Sequence, residues 1–418
     1  MHHVHFKKLE ASWRGIYYLT EQVAGNNDKR IKLKLISWSW QELSKDLVRA
    51  VEFDQSQFFA KIYNAEFGQA GGEPFGLLIG DYYLSHRNTE INGANDLIVL
   101  QSIAKAAAAA FAPFITSVAP SLFGINDFAE FDKPFDLERT FQQAEYQQWK
   151  RLRQDEDARF VGLVLPQVLM RLPYNQTSSI NYPLRFTENV ANSRQDYLWG
   201  NAAYCFAAVV ARSFSRSGWF AEIRGKPANN AGGVVVDLPK YLFPTDASQF
   251  AFKYATNICM TDRKEKLLTD FGFITLTYNQ YTDLATFYAC SSIQKPKKYE
   301  RHRANQNANL SSMLHYMLCV SRFAHYLKII ARDKIGSFAA AHECEQFLQE
   351  WLYHYTADSS DLSDDLKAKY PLREAKVQVY ESMGSPGKYL CTIHLCPHYQ
   401  FDQLETYLQL KAELIRTA

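Results

Sequence analysis

The chain has 418 residues, of which 47% are hydrophobic and 22% are charged, and its formal net charge is +2. A chain of this length can form two or three domains, and its near-neutral charge excludes a global electrostatic attraction to nucleic acid or to anionic membranes. No apolar run is long enough to predict membrane insertion. The seven cysteines include no CxxC pair and the N-terminus has no signal-peptide pattern, so we expect reduced thiols in a cytoplasm, where disulfides are rare.

The first third of the chain contains a glycine-rich loop at residues 68–72. Asp54 is predicted to cap the helix before it, and residues 75–79 after it are predicted to form a strand buried on both faces. A phosphate-binding Walker loop follows a strand and ends in Lys-Ser or Lys-Thr. Here the glycines precede the strand and no such pair follows, which disfavours nucleotide binding.

Helices and short apolar strands alternate through the first two-thirds of the chain. The predicted helices are 96–112, 136–153 and 196–217, and the predicted strands are 114–118, 160–165, 219–223, 234–237 and 273–278. Such alternation predicts a layered α/β domain within a mixed α/β (α+β) fold. A polar, basic connection at 294–309 marks the predicted boundary between a main domain at 1–298 and a smaller domain at 299–418.

The smaller C-terminal domain is predicted to be α+β, with helices at 310–331, 341–355 and 399–414 around a β-hairpin at 374–396. On the first strand of the hairpin, Val377 and Val379 alternate with polar residues. On the return strand the same alternation gives an apolar face, formed by Tyr389, Cys391, Ile393 and Leu395. Two strands alone are marginally stable in water, so this hairpin must pair with another element, inside or outside the chain.

Four possible metal ligands lie close together near the end of the hairpin: Cys391, His394, Cys396 and His398. Their spacing is not that of the usual zinc sites, and Pro397 interrupts the strand, so we expect no metal and no cofactor here. Sets of Ser, His and Asp, or of Cys and His, lack any local catalytic signature elsewhere in the chain. We therefore assign no catalytic residue.

A basic cluster lies at the boundary between the two domains and contains Lys295, Lys297, Lys298 and Arg301. Such a run could contact nucleic acid, but it is more typical of a solvated or salt-bridging surface. Since the net charge of the chain is close to zero, we expect no nucleic-acid partner.

Nine sequence blocks, spread in order over nearly the whole chain, share a resemblance to one known family. They are LEASWRGIYYL (9–19), KIYNAEFGQAGGEPFGLLIGDY (61–82), AAAAAFAPFI (106–115), RFVGLVLPQVLMRLPY (159–174), DYLWGNAAYCFA (196–207), TDRKEKLLTDFGFITL (261–276), QKPKKY (294–299), SRFAHYLKIIARDKIGSF (321–338) and KAKYPLREAKVQV (367–379). The chain resembles the large subunit of the type VI secretion contractile sheath, the TssC or VipB family. We therefore expect a contractile tail-sheath-like fold.

The resemblance implies a structural subunit of the bacterial cytoplasm that is not an enzyme. Such a subunit polymerises with the small sheath subunit, TssB or VipA, and with copies of itself into a helical tube. That tube surrounds the inner tube of Hcp and stands on a baseplate, and its contraction propels the inner tube and its spike into a target cell.

The resemblance also implies where neighbouring subunits meet. Strands of neighbouring protomers interleave into shared sheets in this family, which is strand addition through backbone hydrogen bonds. The residues expected in the inter-subunit sheet are Val377, Val379, Tyr389, Cys391, Ile393 and Leu395. The residues expected in inter-subunit charge contacts are Lys295, Lys297, Lys298 and Arg301.

One departure from the family is that the chain begins just before the block at 9–19. In the family, the preceding region carries a helix recognised by the ClpV unfoldase, so ClpV is an expected partner only if the native protein includes that region. Two other functions fit the residues less well. One is a soluble α/β enzyme with a pocket around residues 68–81, and the other is a non-contractile, baseplate-associated adaptor.

Overall fold

The computed structural model describes residues 2–26, 28–69, 71–86, 95–133, 135–174, 186–190, 194–220, 222–225, 232–239, 255–279, 284–333, 341–357, 363–381, 388–398 and 408–415. The helices are α1 (Val4–Gly25), α2 (Trp40–Arg49), α3 (Gln57–Phe59), α4 (Asp96–Ala109), α5 (Leu137–Gln142), α6 (Gln147–Gln154), α7 (Ala203–Ser217), α8 (Asp262–Asp270), α9 (His302–Ser311), α10 (Leu314–Asp333), α11 (Ala341–Tyr353) and α12 (Asp364–Lys369). The strands are β1 (Leu78–Leu84), β2 (Phe114–Val118), β3 (Val161–Leu165), β4 (Val168–Leu169), β5 (Trp199–Gly200), β6 (Val234–Val235), β7 (Phe273–Tyr278), β8 (Ala285–Phe287), β9 (Leu372–Glu381), β10 (Lys388–Pro397) and β11 (Leu408–Ile415).

A six-stranded sheet forms the centre of the main domain, with the strand order β1-β2-β3-β7-β8-β6. The first four strands are parallel, and β8 pairs antiparallel with both β7 and β6. One face of the sheet packs on α2, α3, α4 and α6, and the other packs on α7 and the start of α10. Every residue of β2 and β3 is buried, as expected for parallel strands covered on both faces. The predicted layered α/β architecture is therefore confirmed.

The helix and strand around the glycine-rich loop differ in their bounds from the prediction. Ser56, not Asp54, caps the helix, because its hydroxyl accepts a hydrogen bond from a backbone N–H at the end of the first turn. The helix continues from α3 as a π-helix over Ala60–Phe67. The strand after the loop is β1, which begins at Leu78 rather than at residue 75.

The glycine-rich loop itself is closed by contacts within the chain. At Gly72 an added Cβ would overlap the backbone carbonyl of Glu66, so the position requires glycine for this close approach. Lys34 forms an ion pair with Glu66, and Lys32 forms one with Glu73. The loop therefore joins the helix to β1 tightly, as its order in the sequence predicts.

Two of the predicted helices are shorter or divided in the structure. The helix predicted at 196–217 is α7, and it begins only at Ala203, because β5 precedes it and pairs with β4. It ends as expected at Gly218, which has a left-handed φ of 77°. The helix predicted at 136–153 is divided into α5 and α6, because Gln143 between them adopts an extended backbone conformation.

The predicted strand at 219–223 is wrong for the residues that the structure describes. Trp219 and Phe220 follow the C-cap glycine of α7 in a bend, and residues 222–223 are also outside any strand. The Trp219 ring stacks on Phe323 of α10, with 4.2 Å between the ring centroids. The apolar run thus serves packing between elements and not strand pairing. The strand predicted at 234–237 is reduced to β6, whereas β7 has its predicted bounds.

The C-terminal domain contains a three-stranded antiparallel sheet with the order β11-β10-β9. The predicted hairpin is present as β9 and β10, but the predicted helix at 399–414 is wrong where the structure describes it, because residues 408–415 form β11. Residues 399–407 lie outside the described residues. Apolar and polar residues alternate from Leu408 to Leu414, and backbone pairing with β10 outweighs the helix propensity of this segment.

Helix α10 connects the cores of the two domains. Its first half, with Leu314 and Leu318, packs under the six-stranded sheet. Its second half, with Phe323 and Leu327, packs under the three-stranded sheet. The predicted helix at 310–331 is therefore present, although α9 takes up much of the connection predicted at 294–309. The domain boundary at residue 298 lies in the extended segment before α9 and stays a prediction.

None of the helices in the described part of the chain is long and apolar enough to cross a membrane.

Candidate assembly surface

The three-stranded sheet has a continuous register that places the predicted interface residues on one face. Val377 pairs with Ile393, and Val379 pairs with Cys391. On the other side of β10, Ile393 pairs with Leu410. Because directly paired residues point to the same face of a sheet, Val377, Val379, Cys391 and Ile393 form a single apolar face.

That apolar face is buried against helices of the same chain. Val377, Cys391 and Ile393 are each 2% exposed, and Leu395 is 0% exposed. They pack in one core with residues of α10 and α11, and Val379 packs against the edge of that core. Burial of such side chains contributes roughly 1.5–3 kcal/mol each to stability. The face that the sequence singles out is thus the core of the C-terminal domain, and its contribution to a shared sheet stays a prediction.

The opposite face of the sheet is polar. Lys376, Gln378 and Tyr380 of β9 are exposed, and the Tyr380 hydroxyl lies 3.0 Å from the Thr392 hydroxyl. Of Tyr389, another predicted interface residue, the structure describes the backbone, which pairs with Glu381 on one side and Leu414 on the other. Tyr389 thus belongs to the central strand, and its backbone is paired within the chain on both sides.

The outer edge of β9 carries two side chains that the sequence analysis missed. Gln349 and Glu345 of α11 form hydrogen bonds with backbone groups of β9 at Ala375, Val377 and Val379. Such contacts join a helix to a strand far along the chain, and no local pattern predicts them. Their side chains occupy backbone groups along the outer edge of β9.

The predicted basic cluster lies on the surface, but part of its charge is paired within the chain. The Lys297 ammonium forms an ion pair of 2.6 Å with Glu156. The backbone N–H of Lys295 donates to the carbonyl of Arg153. That bond leaves the side-chain charge of Lys295 unaffected, and Lys295, Lys298 and Arg301 are all exposed. The cluster therefore offers mainly the charges at 295, 298 and 301 to another molecule, and its contribution to an interface stays a prediction.

The cysteines of the sheet have the properties of packing residues. Cys391 and Cys396 are each 2% exposed. Burial raises the pKa of Cys391 to about 12, so the neutral thiol is its form at neutral pH. Metal ions are bound by the thiolate. Among the described residues, no group of three or more His, Cys, Asp or Glu side chains is arranged to hold a metal ion.

A second surface with the properties of an interface lies on α1. Phe6, Leu9, Trp13 and Tyr17 recur every three or four residues and are 47%, 58%, 61% and 65% exposed. An exposed row of large apolar side chains typically marks a protein interaction surface. The spacing of these residues is visible in the sequence, within the block at 9–19 that carries the family resemblance.

The other face of α1 is anchored to the main domain. Gly15 lies against the ring of Tyr204 on α7, so closely that an added Cβ would overlap the ring carbons. Arg171 forms ion pairs with Glu10 of α1 and with Glu188, and all three side chains are largely buried. The exposed apolar row is therefore held at a fixed position on the main domain.

Replacing Gly15 with Ala is expected to lower the free energy of unfolding by about 1–3 kcal/mol, because the new methyl group overpacks the contact with Tyr204. Alanine is otherwise favoured over glycine inside a helix, so a loss of stability reports the contact itself. The measurement is urea denaturation followed by circular dichroism. Gly25→Ala is the matched control, because no atom lies within 4 Å of the Cβ that it adds; equal stabilities of the two variants would contradict the prediction.

Comparisons with known proteins follow the same division into a main and a C-terminal part. The EvpB/VC_A0108 tail sheath N-terminal domain matches residues 1–294, and the EvpB/VC_A0108 tail sheath gpW/gp25-like domain matches residues 303–414. The type VI secretion system sheath protein TssC1 of Pseudomonas aeruginosa is 39% identical over 418 residues, which cover 99% of this chain and 82% of that protein.

Solved structures of tail proteins are also similar to the chain, at a low level. A sheath tail protein from Listeria innocua has a TM-score of 0.32 and 11% identity, over 77% of this chain and 61% of that one. A chain of the anti-feeding prophage baseplate has a TM-score of 0.37 and 8% identity, over 73% of this chain and 63% of that one. The sequence matches decide the family: the chain belongs to the VipB/TssC family and is a structural subunit of the type VI secretion sheath.

Proposed function

We propose that the chain polymerises with the small sheath subunit, TssB or VipA, and with copies of itself into a contractile helical tube in the bacterial cytoplasm. The tube surrounds the Hcp inner tube, stands on a baseplate, and propels the inner tube and spike into target cells when it contracts. The subunit carries out no catalytic step. ClpV is a partner of the native protein if that protein carries the N-terminal region that ClpV recognises.

The observation that carries this proposal is the three-stranded sheet at the end of α10. A sheet edge offers unpaired backbone groups to a strand of another chain. Since α10 packs in the cores of both domains, a pull on this sheet is transmitted to the main domain through this helix. Such a construction supports a subunit that keeps its lattice contacts while rigid bodies move.

The exposed apolar row on α1 supports a second contact, on the side of the main domain. A subunit with two separate, different contact surfaces forms heterologous contacts, and such contacts build a helical filament when the rotation between copies does not close a ring. The exposed row on the main domain and the sheet of the C-terminal domain are two such surfaces.

Co-expression of the chain with the small sheath subunit of the same bacterium tests the proposal. Tubes with cogwheel-shaped cross-sections in negative-stain electron microscopy are the expected result. A discrete complex that never polymerises would instead indicate the baseplate-associated adaptor. A monomer that binds a small molecule tightly around residues 68–81 would indicate the enzyme.

Reversing two exposed charges of the basic cluster, Lys298→Glu with Arg301→Glu, is expected to lower the yield of tubes several-fold without unfolding the chain. Exposed charges contribute little to the stability of a monomer, about 0–1 kcal/mol per pair, but they set partner orientation and association rate. The yield is measured by sedimentation of assembled tubes, and it should fall more at low salt than at high salt, because salt screens exposed charges. A purely structural defect would lower the yield equally at both salt concentrations. Lys61→Glu, at an exposed position of the π-helix, is the matched control. An unchanged yield in the double variant would remove this cluster from the interface.

A further inference from the structure

The π-helix that follows α3 is an unusual conformation for a segment of its length. A π-helix generally occurs as a single turn inserted in an α-helix, and it is often found at functional sites. Here it extends over eight residues, Ala60–Phe67. At its end, the backbone N–H of Gly68 donates to the carbonyl of Tyr63, five residues back, at 2.6 Å. An α-helix would use the carbonyl four residues back, so a shift to α-helical bonding is available to this segment.

Helix α10 contacts the end of the π-helix through two cationic side chains. The Lys328 ammonium lies 3.5 Å from the centroid of the Phe67 ring and donates a hydrogen bond of 3.1 Å to the Tyr63 hydroxyl. The Arg332 guanidinium donates to the backbone carbonyl of Gln69 at 2.6 Å. A charge-assisted hydrogen bond is about twice as strong as a neutral one, and a cation–π contact strengthens when water is excluded. The end of the π-helix is thus attached to α10 and not only to its own backbone.

These contacts favour the π conformation over the α conformation. Each turn of a π-helix holds more residues than a turn of an α-helix, so conversion would lengthen the segment and rotate its end. The Phe67 ring and the Gln69 carbonyl lie at that end, and both would leave Lys328 and Arg332. Since π-helices are rare, the α form is the state expected without such contacts.

A second unusual backbone conformation lies against the same helix. Phe111, directly after the C-cap of α4, has a left-handed φ of 50°, which is an outlier for a bulky residue. The carbonyl of Ala110 accepts a hydrogen bond of 2.9 Å from Nε2–H of His325, a residue of α10 that is 1% exposed. The rings of Phe67 and Phe111 both contact the His325 ring edge-to-face. Such backbone strain persists only where surrounding contacts hold it, and here α10 provides those contacts.

The end of the π-helix is also connected to the glycine-rich loop and to a surface segment. Glu66 of the last turn forms an ion pair with Lys34 and accepts a hydrogen bond of 3.1 Å from the backbone N–H of Glu73. Glu73 in turn forms an ion pair with Lys32. A rotation of the end of the π-helix would therefore separate Glu66 from the loop and from the segment at 32–34 in one step.

We propose that residues 60–67 are a two-state conformational switch, which α10 holds in the π form. When α10 is displaced, the segment converts to an α-helix, and Glu66 leaves its partners in the glycine-rich loop and at Lys34. Since α10 also packs under the three-stranded sheet, a displacement of that sheet is the event that operates the switch. The switch belongs to the single chain, so it goes beyond the proposed function and is testable without tubes.

The first test is a crystal structure of the free chain with both cations replaced, Lys328→Met with Arg332→Met. Methionine keeps a long, unbranched side chain but removes the charge. The Gly68 N–H is expected to bond the carbonyl of Asn64, four residues back, in place of the carbonyl of Tyr63. If the double variant fails to fold, Lys328→Met alone should show the same change of partner.

The second test follows the loop in solution by limited proteolysis. Trypsin should cleave the double variant after Lys32 and Lys34 about fivefold faster than the native chain, because the exposed ion pairs with Glu66 and Glu73 are lost. Circular dichroism checks that the variant is otherwise folded.

Two control variants separate the switch from a general effect of charge. Arg263→Met with Lys266→Met removes the same two charges from exposed positions of α8 and should keep the native rate of cleavage. Lys328→Arg retains a cation over the Phe67 ring and should behave as the native chain in both tests.

Retention of the bond between Gly68 and Tyr63 in the folded Lys328 and Arg332 variant would overturn the switch, whatever the rate of cleavage. An α-helical segment with native cleavage after Lys32 and Lys34 would overturn its coupling to the loop. Equally fast cleavage of the α8 variant would also overturn that coupling, because it would assign the effect to lost charge. A failure to form tubes would refute the proposed function and leave these measurements unaffected.

Discussion

Replacing Ile393 with Asp is expected to abolish tube formation, because it places a carboxylate in the core that holds the three-stranded sheet to α10 and α11. Ile393 is 2% exposed and lies on the central strand, opposite Val377 on one side and Leu410 on the other. The neighbouring side chains in this core are apolar. A buried charge without a partner costs about 3–5 kcal/mol, which is a large part of the stability of a typical domain.

The effect of this substitution should be confined to the C-terminal sheet. Limited proteolysis should cut the variant between residues 363 and 398, while the six-stranded sheet, which has a separate core, remains protected. Gln378→Asp introduces the same side chain on the exposed face of the neighbouring strand and should leave both tube yield and proteolysis unchanged. Normal tubes from the Ile393→Asp variant would show that this sheet is dispensable for the lattice.

The parts of the fold that the sequence predicts well are those in which burial alone decides the structure. Strands β2, β3 and β7 are short apolar runs covered on both faces, so hydrophobicity and turn residues are sufficient to find them. The hairpin of β9 and β10 is found because its alternation has only one favourable register. In each case the local sequence is sufficient to determine the secondary structure.

The predictions fail where contacts with residues distant in the sequence determine the structure. Residues 408–415 consist largely of good helix formers, and only the free edge of β10 makes them a strand. The run at 219–223 has the composition of a strand, but stacking of Trp219 on Phe323 decides its structure. Gln349 and Glu345 have no local signal at all, because their role depends on the orientation of α11 over β9.

The same distinction explains what could be predicted of the assembly surface. The sequence identifies the apolar face of the hairpin correctly, but it cannot tell whether that face meets another chain or two helices of the same chain. The structure shows that α10 and α11 cover it. In the proposed function, neighbouring subunits are therefore joined at the edge of the sheet and not on its apolar face. At that edge, backbone groups and not side chains provide the contact.

Replacing Arg171 with Met is expected to lower the free energy of unfolding by about 3–5 kcal/mol at neutral pH, because it leaves two buried carboxylates without their common partner. Arg171 donates to Glu10 at 2.6 Å and also forms an ion pair with Glu188. Their side chains are 6%, 13% and 2% exposed, respectively. Since Glu10 belongs to α1, this loss should loosen the helix that carries the exposed apolar row.

The pH dependence of this variant separates the ion pairs from simple packing. In the native chain, burial raises the pKa of both carboxyl groups, but the hydrogen bonds and charge of Arg171, with Arg14 beside Glu10 and the Tyr174 N–H beside Glu188, outweigh it and hold each pKa below its ordinary value. Their contribution to stability is therefore present above the ordinary pKa of 4.5 and is lost as the pH falls through the lowered pKa values. In the variant, the contribution of Arg171 is lost and each pKa rises, so less of this stabilisation remains above that ordinary value. Urea denaturation should thus give a difference in the free energy of unfolding between native and variant chains that is smaller at about pH 4.5 than at pH 7.

Arg14→Met is the control, because Arg14 is 30% exposed and, of the two carboxylates, bonds only Glu10. A loss of stability in the Arg171 variant that does not change with pH would assign the whole effect to lost packing.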